Sequence, residues 1–218
     1  METQTYKREI ILASKSPRRR ELLAQAGLPF QVIPSAFDED AVIIKEPAGY
    51  AMYLAENKAM DIARQYPKCV VIGADTIVIV DGEVLNKPKD TAHARGMLTK
   101  LAGRTHQVIT GFSIVCAAER RQHTAFCQTD VLFKALSPAE IEWYIHTGEP
   151  YDKAGGYAIQ GMGSCMIAAV NGSYTNVVGL PVCEVLDYLY KAELILPENS
   201  AAGAGWRTVV LEKEGELG

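Results

Sequence analysis

Hydrophobic and polar positions alternate between short apolar runs and amphipathic segments along most of the chain. Residues 69–80, "CVVIGADTIVIV", are almost wholly apolar and β-branched, which predicts a central strand buried on both faces. The dipeptide Asp81-Gly82 follows and predicts a tight hairpin turn. Residues 48–66 carry apolar side chains at helical spacing and predict a long amphipathic helix. Strands and helices that alternate in this way are typical of an α/β fold.

The remaining segments fit the same interpretation. We expect a first strand at "EIILA" that leads into a helix capped by Ser16, a second strand at "FQVIP", and a helix over residues 90–101. Two long strands should follow, then a helix opened by a capping box of Ser137 and Glu140. The glycine-rich segment and "SCMIAAVNGSYTNVVGLP" predict a loop with short strands, and "PVCEVLDYLYKAELI" predicts the last helix.

The pattern predicts a single α/β domain over residues 1–196, with two lobes around a cleft. No composition shift or linker interrupts the chain before residue 196. Residues 197–218 contain "PENSAAGAG" and a charged end, and we expect a flexible C-terminal extension with only transient pairing of "WRTVVLE".

Composition narrows the class of protein. The 218 residues are 48% hydrophobic, which fits a folded globular protein, and the net charge of −4 does not suggest a nucleic-acid-binding protein, which would usually be basic. The N-terminus lacks the apolar core of a signal peptide, and no apolar stretch is long and unbroken enough to span a membrane. The five cysteines form no CxxC pair, which favours buried free thiols in a reducing cytoplasm. We therefore expect a cytoplasmic protein with neither a nucleic-acid nor a membrane partner.

The start of the first predicted helix carries an unusual charge pattern. Ser16 is followed by Pro17 and by three arginines at positions 18–20, although the N-terminal end of a helix is already partly positive. Two interpretations are open. The arginines point into solvent or pair with acids such as Glu21, or they bind an anionic group such as phosphate at this end.

Asp75 is a carboxylate inside the apolar run of the central strand. An unpaired buried charge costs several kcal/mol, so Asp75 needs a partner. A strand-end hydrogen bond or a buried salt bridge would supply one. Alternatively, Asp75 lies at the mouth of a cleft beside the sheet, with Thr76 next to it, where open α/β sheets bind ligands.

Two further groups of charged residues allow both a structural and a functional interpretation. The run Asp38-Glu39-Asp40 suits Mg²⁺ or Mn²⁺, although most acidic runs are solvated surface. Lys58 borders the apolar face of the long helix, and Lys87 follows the hairpin. Most lysines are surface residues, but together with the arginine-rich helix start these two indicate a site for a polyanion.

The glycine-rich segment "DKAGGYAIQGMGS" offers close backbone approach to a ligand. It matches neither the phosphate loop of the NTPases nor a dinucleotide fingerprint. Gln160 lies between its glycines and is a neutral amide that both donates and accepts hydrogen bonds, which suits the edge of a nucleobase.

Taken together, these segments resemble the Maf family of nucleoside triphosphate pyrophosphatases. The resemblance rests on "LASKSPRRRELLAQAGLPF", "ENKA", "VIGADTIVIVDGEVLNKPKD", "LAGRTHQVITG", "DKAGGYAIQG" and "NGSYTNVVGLP", in the same order, from about residue 10 to residue 189. It implies a twisted mixed sheet flanked by helices. It also implies hydrolysis between the α- and β-phosphates to a nucleoside monophosphate and pyrophosphate, with a divalent cation such as Mg²⁺ or Mn²⁺. Family members are often dimers, which leaves a homodimer open.

The resemblance also implies roles for individual residues. Asp75 matches the catalytic proton acceptor and, with Glu39, the metal site, while Lys58 and Lys87 match the catalytic lysines. Two residues fall in the opening motif that binds phosphate, namely Ser14 and Arg19.

Three positions distinguish branches of this family. Arg18 after the Ser-Pro pair, Thr76 after the catalytic aspartate and Gln160 in the glycine segment match the branch that hydrolyses dTTP and UTP. The branch that acts on 7-methyl-GTP typically carries tryptophan and glutamate at the first and third positions. The expected activity is therefore that of a dTTP/UTP pyrophosphatase. The alternatives are a 7-methyl-GTP pyrophosphatase and a nucleotide-binding regulator of septum formation without turnover.

Overall fold

The structure is a computed structural model that describes residues 5–38, 46–200 and 203–212. Within these residues, seven strands form a mixed sheet: β2 (Ile10–Leu12), β3 (Gln31–Val32), β4 (Val70–Val80), β5 (Glu83–Leu85), β6 (Thr105–Cys116), β7 (Arg121–Phe133) and β8 (Ile167–Asn171). Their order is β3-β2-β4-β6-β7-β8, and β5 pairs with β4 beside this path. Strands β2, β3 and β4 are parallel to one another, and the remaining pairs are antiparallel.

Helices cover the sheet, and short 3₁₀ turns connect them to the strands. The α-helices are α1 (Pro17–Gln25), α2 (Pro47–Gln65), α3 (Thr91–Leu101), α4 (Pro138–His146), α5 (Tyr174–Val178) and α6 (Val182–Lys191). Between α4 and β8 the chain forms 3₁₀ turns at Glu149–Asp152, Ala154–Gly156 and Gly161–Met166. The predicted α/β fold with a mixed sheet is therefore confirmed.

Strand β4 is buried on both faces, as its apolar sequence predicts. Ile72 and Ala74 belong to a core shared with α1 and α6, whereas Val71 and Ile77 pack in clusters that contain α2 residues. Successive side chains of a strand point to opposite faces, so one continuous apolar run serves two layers of helices. The turn at Asp81-Gly82 has positive φ at both residues, at 53° and 75°, which confirms the predicted hairpin.

Helix α2 approaches the sheet very closely because two glycines face it. A Cβ at Gly73 of β4 would lie 2.3 Å from the carbonyl oxygen of Ala55, and a Cβ at Gly111 of β6 would lie 2.3 Å from the backbone of Ala51. Any larger residue would push the helix away from the sheet. Gly111 is the register partner of Asp75, so this close packing occurs beside the Asp75 carboxylate.

One edge of β4 is open in its middle. Strand β2 pairs with β4 as far as Ile72, and β5 begins to pair at Val78. In the described part of the chain, residues 73–77 therefore have no strand partner on this edge, while β6 pairs along the other edge. Asp75 and Thr76 lie in this gap, and both are only half-buried.

Two local predictions were wrong and one was confirmed. Ser137 and Glu140 form the expected capping box at the start of α4. Residues 174–178, expected as part of a loop with short strands, form helix α5, which is capped by the Ser173 side chain. The five cysteines are free, but Cys165 and Cys183 are exposed rather than buried.

The C-terminal segment differs from the expected flexible extension where the structure describes it. Strand β9 (Ile195–Ser200) pairs with β10 (Gly203–Thr208), and β11 (Val210–Glu212) pairs with β1 (Thr5–Lys7). The backbone N–H of Trp206 donates to the carbonyl of Gly27 at 3.2 Å, and the Trp206 ring packs against the core. A bulky aromatic side chain with core contacts stabilises this pairing. The domain boundary at residue 196 stays a prediction, and residues 213–218 lie outside the described residues.

Candidate active site

A cavity of about 810 Å³ opens at the gap in β4. Its walls come from the loop before α1, the inner face of α2, the middle of β4, the segment after β5, the turns after α4 and the end of α5. All the predicted site residues that the structure describes line it, namely Ser14, Arg18, Arg19, Lys58, Asp75, Thr76, Lys87 and Gln160. Glu39, the predicted partner of Asp75 in a metal site, lies outside the described residues.

Asp75 and Lys58 form an ion pair at the bottom of this cavity. Lys58 Nζ lies 2.6 Å from Asp75 Oδ1, and the two side chains are 11% and 13% exposed. Asp75 therefore has the salt-bridge partner that a carboxylate in an apolar strand needs, and it also lines the cavity, while its binding and catalytic role stays a prediction. Lys58 lies on helix α2 and Asp75 on strand β4, and the close packing of α2 on the two sheet glycines holds these elements together. Such a site is held more precisely than one built on loops.

The three arginines of α1 have three different environments. Arg19 is buried, and its guanidinium donates from Nε to the carbonyl of Gly179 at 2.7 Å, from Nη1 to Ser14 Oγ at 3.3 Å and from Nη2 to Thr76 Oγ1 at 3.0 Å. These contacts join the start of α1 to β4 and to the end of α5. The direct phosphate contact of Arg19 stays a prediction, since the contacts described here are all with the protein.

Arg18 and Arg20 face away from that network. Arg18 Nη1 lies 3.1 Å from Asp152 Oδ2 in the turn after α4, so the pair bridges two walls of the cavity. Arg20 is exposed and does not line the cavity. Arg20 and Arg18 therefore follow the first interpretation, in solvent and in a salt bridge, while binding of an anionic group at this helix start stays a prediction.

Thr76 connects the cavity to a buried polar network. Its hydroxyl lies 2.9 Å from that of Thr110, and Thr110 Oγ1 donates to the carbonyl of Asn176 at 3.0 Å. The Asn176 amide in turn donates to the carbonyl of Val108 and to Thr129 Oγ1. Buried hydrogen bonds between side chains and backbone rigidify their surroundings, so these contacts hold α5 and the Gly179 carbonyl that binds Arg19.

Positive charge dominates the cavity. The described lining contains seven cationic side chains and two carboxylates: Lys15, Arg18, Arg19, Lys58, Lys87, Lys89 and Lys153 against Asp75 and Asp152. Sequence reasoning missed Lys15, Lys89 and Lys153, although all three lie inside segments that carry the family resemblance. A cleft lined by one sign of charge concentrates ligands of the opposite sign, so this cavity suits a polyanion.

Gln160 lines the cavity and is half-buried. Aromatic side chains pack next to the segment that carries it. Nearby, the buried Tyr157 hydroxyl lies 2.7 Å from His106 Nε2, and both rings pack edge-on against Phe133. Burial lowers the pKa of His106 to about 4 and raises the pKa of Tyr157. Both groups are therefore neutral near pH 7 and support the cavity wall without adding charge.

The described residues contain no cluster of three or more His, Cys, Asp or Glu side chains that could hold a metal ion by itself. Mg²⁺ needs less than this, because it usually keeps several waters and binds one or two carboxylates together with substrate phosphates. Asp75 faces the cationic cavity and fits such a shared site. The helices in the described part of the chain lack the combined length and apolar character that a bilayer crossing requires.

Comparison with known proteins adds independent findings. A family model described as "Maf-like protein" matches residues 9–192. A dTTP/UTP pyrophosphatase of Syntrophus aciditrophicus (strain SB) is 48% identical over 83% of this chain and 88% of its own length. One of Symbiobacterium thermophilum is 50% identical over 83% and 92%, and one of Myxococcus xanthus (strain DK1622) is 47% identical over 86% and 94%.

Proposed function

Since this chain belongs to the Maf family, we propose that it hydrolyses dTTP and UTP to the nucleoside monophosphate and pyrophosphate. The observation that carries the proposal is the cavity in which six further cationic side chains lie around the Lys58–Asp75 pair. A nucleoside triphosphate carries about four negative charges near pH 7, so it complements this lining. The names of the similar proteins, all dTTP/UTP pyrophosphatases, support the same substrates.

Asp75 is proposed as the base that accepts a proton from the attacking water. Its Oδ1 accepts a hydrogen bond from Lys58, so the proton would go to Oδ2. The hydrogen bond from Lys58 holds the carboxylate in one orientation. General base catalysis of this kind contributes about 10²- to 10⁴-fold to the rate.

The cationic side chains are proposed to bind the phosphates. Lys87 is exposed at the cavity wall, and Arg18 is held across the cavity by Asp152. Lys58 lines the cavity from α2. Preorganised cations stabilise the negative charge that develops on the leaving pyrophosphate, and removal of one such group typically costs about 3–4 kcal/mol.

A divalent cation completes this proposal. Asp75 would hold it together with substrate phosphates, and Glu39, outside the described residues, is the second proposed ligand. When bound, Mg²⁺ or Mn²⁺ neutralises phosphate charge and makes the attacking water more acidic.

Gln160, Arg18 and Thr76 are proposed to select the nucleotide. Gln160 presents a neutral amide to the cavity, which can pair with the O4 and N3–H groups of uracil or thymine. A cationic 7-methylguanine would instead favour a carboxylate at this position. The polar network behind Thr76 keeps that wall rigid.

A panel of nucleoside triphosphates, with pyrophosphate and monophosphate both quantified, tests the proposal. We expect release from dTTP and UTP in the presence of Mg²⁺ or Mn²⁺, much less from GTP and 7-methyl-GTP, and none with EDTA. Saturable UTP binding without pyrophosphate release would contradict an enzymatic function and favour the binding regulator. Preferential release from 7-methyl-GTP would contradict the proposed specificity.

A further inference from the structure

The segment that carries Gln160 is fixed at its far end by a carboxylate from outside the segment. Glu149, in the turn after α4, accepts hydrogen bonds from the backbone N–H groups of Met162 at 3.2 Å and Gly163 at 2.9 Å. The contact is so close that a Cβ at Gly161 would lie 2.1 Å from Glu149 Oε1, and Gly161 also has a positive φ of 79°. The positive φ favours glycine directly after Gln160, and any other residue there would displace the Glu149 carboxylate.

The near end of the same segment is fixed by a buried phenol. Tyr144 of α4 is 0% exposed, and its hydroxyl accepts a hydrogen bond from the backbone N–H of Ala158 at 3.1 Å. Burial and a hydrogen bond to Glu149 raise the pKa of Tyr144. The hydroxyl therefore links both anchors, and residues 158–163, here called the Gln160 segment, are held between them.

We propose that Glu149 is a positioning residue for base selection, acting through the backbone of the Gln160 segment. The inference rests on the proposed function, in which Gln160 contacts the base. An amide carries both an acceptor oxygen and a donor NH₂. Its chemistry alone therefore does not separate uracil from cytosine, whose edges exchange donor and acceptor. Discrimination requires the amide to keep one orientation towards the base, which depends on the backbone that carries it. The Glu149 carboxylate restrains that backbone by accepting hydrogen bonds at both its oxygens.

The same turn reaches a second residue of the cavity. Asp152, at the other end of the Glu149–Asp152 turn, holds Arg18 at 3.1 Å, and Lys153 Nζ donates to the carbonyl of Glu149 at 2.7 Å. The turn therefore sets the separation between Arg18 and the Gln160 segment. Of its two carboxylates, Asp152 is exposed and Glu149 is half-buried. Because solvent screens the interactions of an exposed charge, we expect substitution of Glu149 to change base selection more than substitution of Asp152.

The substitution Glu149→Gln tests the proposal with minimal change in shape. A glutamine has one acceptor oxygen instead of two and places an NH₂ donor against a backbone donor. We expect the ratio of kcat/KM for UTP over CTP to fall about tenfold, the size expected when hydrogen bonds to a charged group are lost. KM for UTP should rise while kcat at saturation stays near that of the wild type. Glu142→Gln is the matched control, because Glu142 lies on α4 but pairs with Arg95 outside the cavity.

Two further measurements separate positioning from a purely structural role. In a Gln160→Ala background, Glu149→Gln should leave the UTP-to-CTP ratio unchanged, because the group that it positions is absent. Binding of non-hydrolysable UTP and CTP analogues should show the same loss of selectivity in the single variant. If Glu149→Gln fails to fold, Tyr144→Phe weakens the other anchor and should lower the ratio in the same direction.

Distinct outcomes separate this inference from the proposed function. A wild-type protein that binds the UTP analogue selectively but releases no pyrophosphate would contradict the proposed function alone. An unchanged selectivity in Glu149→Gln, or an equal loss for both nucleotides with a lower melting temperature, would overturn the inference alone. Equal affinity of the wild type for the two analogues would overturn it as well.

Discussion

Two sides of the cavity are built in different ways. The Lys58–Asp75 pair lies between a long helix and a central strand, which pack together through Gly73 and Gly111. The Gln160 segment is a loop, and side chains of α4 and the following turn hold it in place. Regular elements fix a side chain through many packing contacts, whereas a loop depends on a few hydrogen bonds. This difference predicts that the rate of hydrolysis depends on the first side and the choice of nucleotide on the second.

The largest expected effect is on the side of the ion pair. Asp75→Asn keeps the size of the side chain but removes the proton acceptor, so kcat for UTP should fall about 10²- to 10⁴-fold. Selectivity between UTP and CTP binding should be retained, because the Gln160 segment is unchanged. Pyrophosphate release and analogue binding measure the two quantities, with Asp187→Asn, an exposed pair with Lys191, as the control. A turnover near that of the wild type would remove Asp75 from its proposed role.

The next largest expected effect concerns His106, in the aromatic cluster next to the Gln160 segment. The pKa of His106 is lowered by burial from 6.5 to about 4, so below pH 6.5 the unfolded chain binds a proton that the folded chain does not. The free energy of unfolding therefore keeps its full value above about pH 6.5 and decreases, by at most about 3 kcal/mol, as the pH falls towards 4. Urea denaturation between pH 7 and pH 4 should therefore show a steeper loss for the wild type than for His106→Leu. Parallel curves would show that His106 does not contribute.

A smaller expected effect tests the close packing of helix α2 on the sheet. Gly73→Ala places a Cβ 2.3 Å from the carbonyl oxygen of Ala55 and should destabilise the fold by about 1–3 kcal/mol while displacing Lys58 from Asp75. Gly96→Ala is the matched control, because a Cβ there meets no atom within 4 Å and the helix α3 should gain about 0.5–1 kcal/mol. Denaturation midpoints and kcat for UTP measure both consequences. A Gly73→Ala protein as stable and active as the control variant would refute the packing argument.

Long periodic segments and their local signals were predictable from the sequence. The apolar run of β4, the positive-φ turn after it, helix α2 and the capping box of α4 all follow from side-chain patterns that do not depend on distant residues. Asp75 was conspicuous because a carboxylate in such a run needs a partner. Its pairing with Lys58 depends on how α2 packs, which the sequence indicates only through Lys58 at the border of the apolar face.

Short elements and contacts between distant segments were not predictable. Helix α5 has five residues, too few for a periodic pattern, and its main signal is the cap at Ser173. Glu149 lies just before the glycine-rich segment and Asp152 begins it. No local pattern indicates their partners across the cavity, which are 14 and 134 residues away in the chain. The β9–β10 hairpin was expected as a flexible tail because its composition is rich in small residues, but Trp206 packs on the core.

The central claim is that one cavity holds the triphosphate beside Asp75 and the base beside Gln160. A crystal structure with a UTP analogue that cannot be cleaved between the α- and β-phosphates, grown with Mg²⁺, tests it most directly. The account predicts the α-phosphate next to the Asp75 carboxylate, the terminal phosphates among the lysines, and the uracil edge within hydrogen-bond distance of the Gln160 amide. A nucleotide bound outside this cavity, or with its base at the Lys58–Asp75 pair, would contradict it.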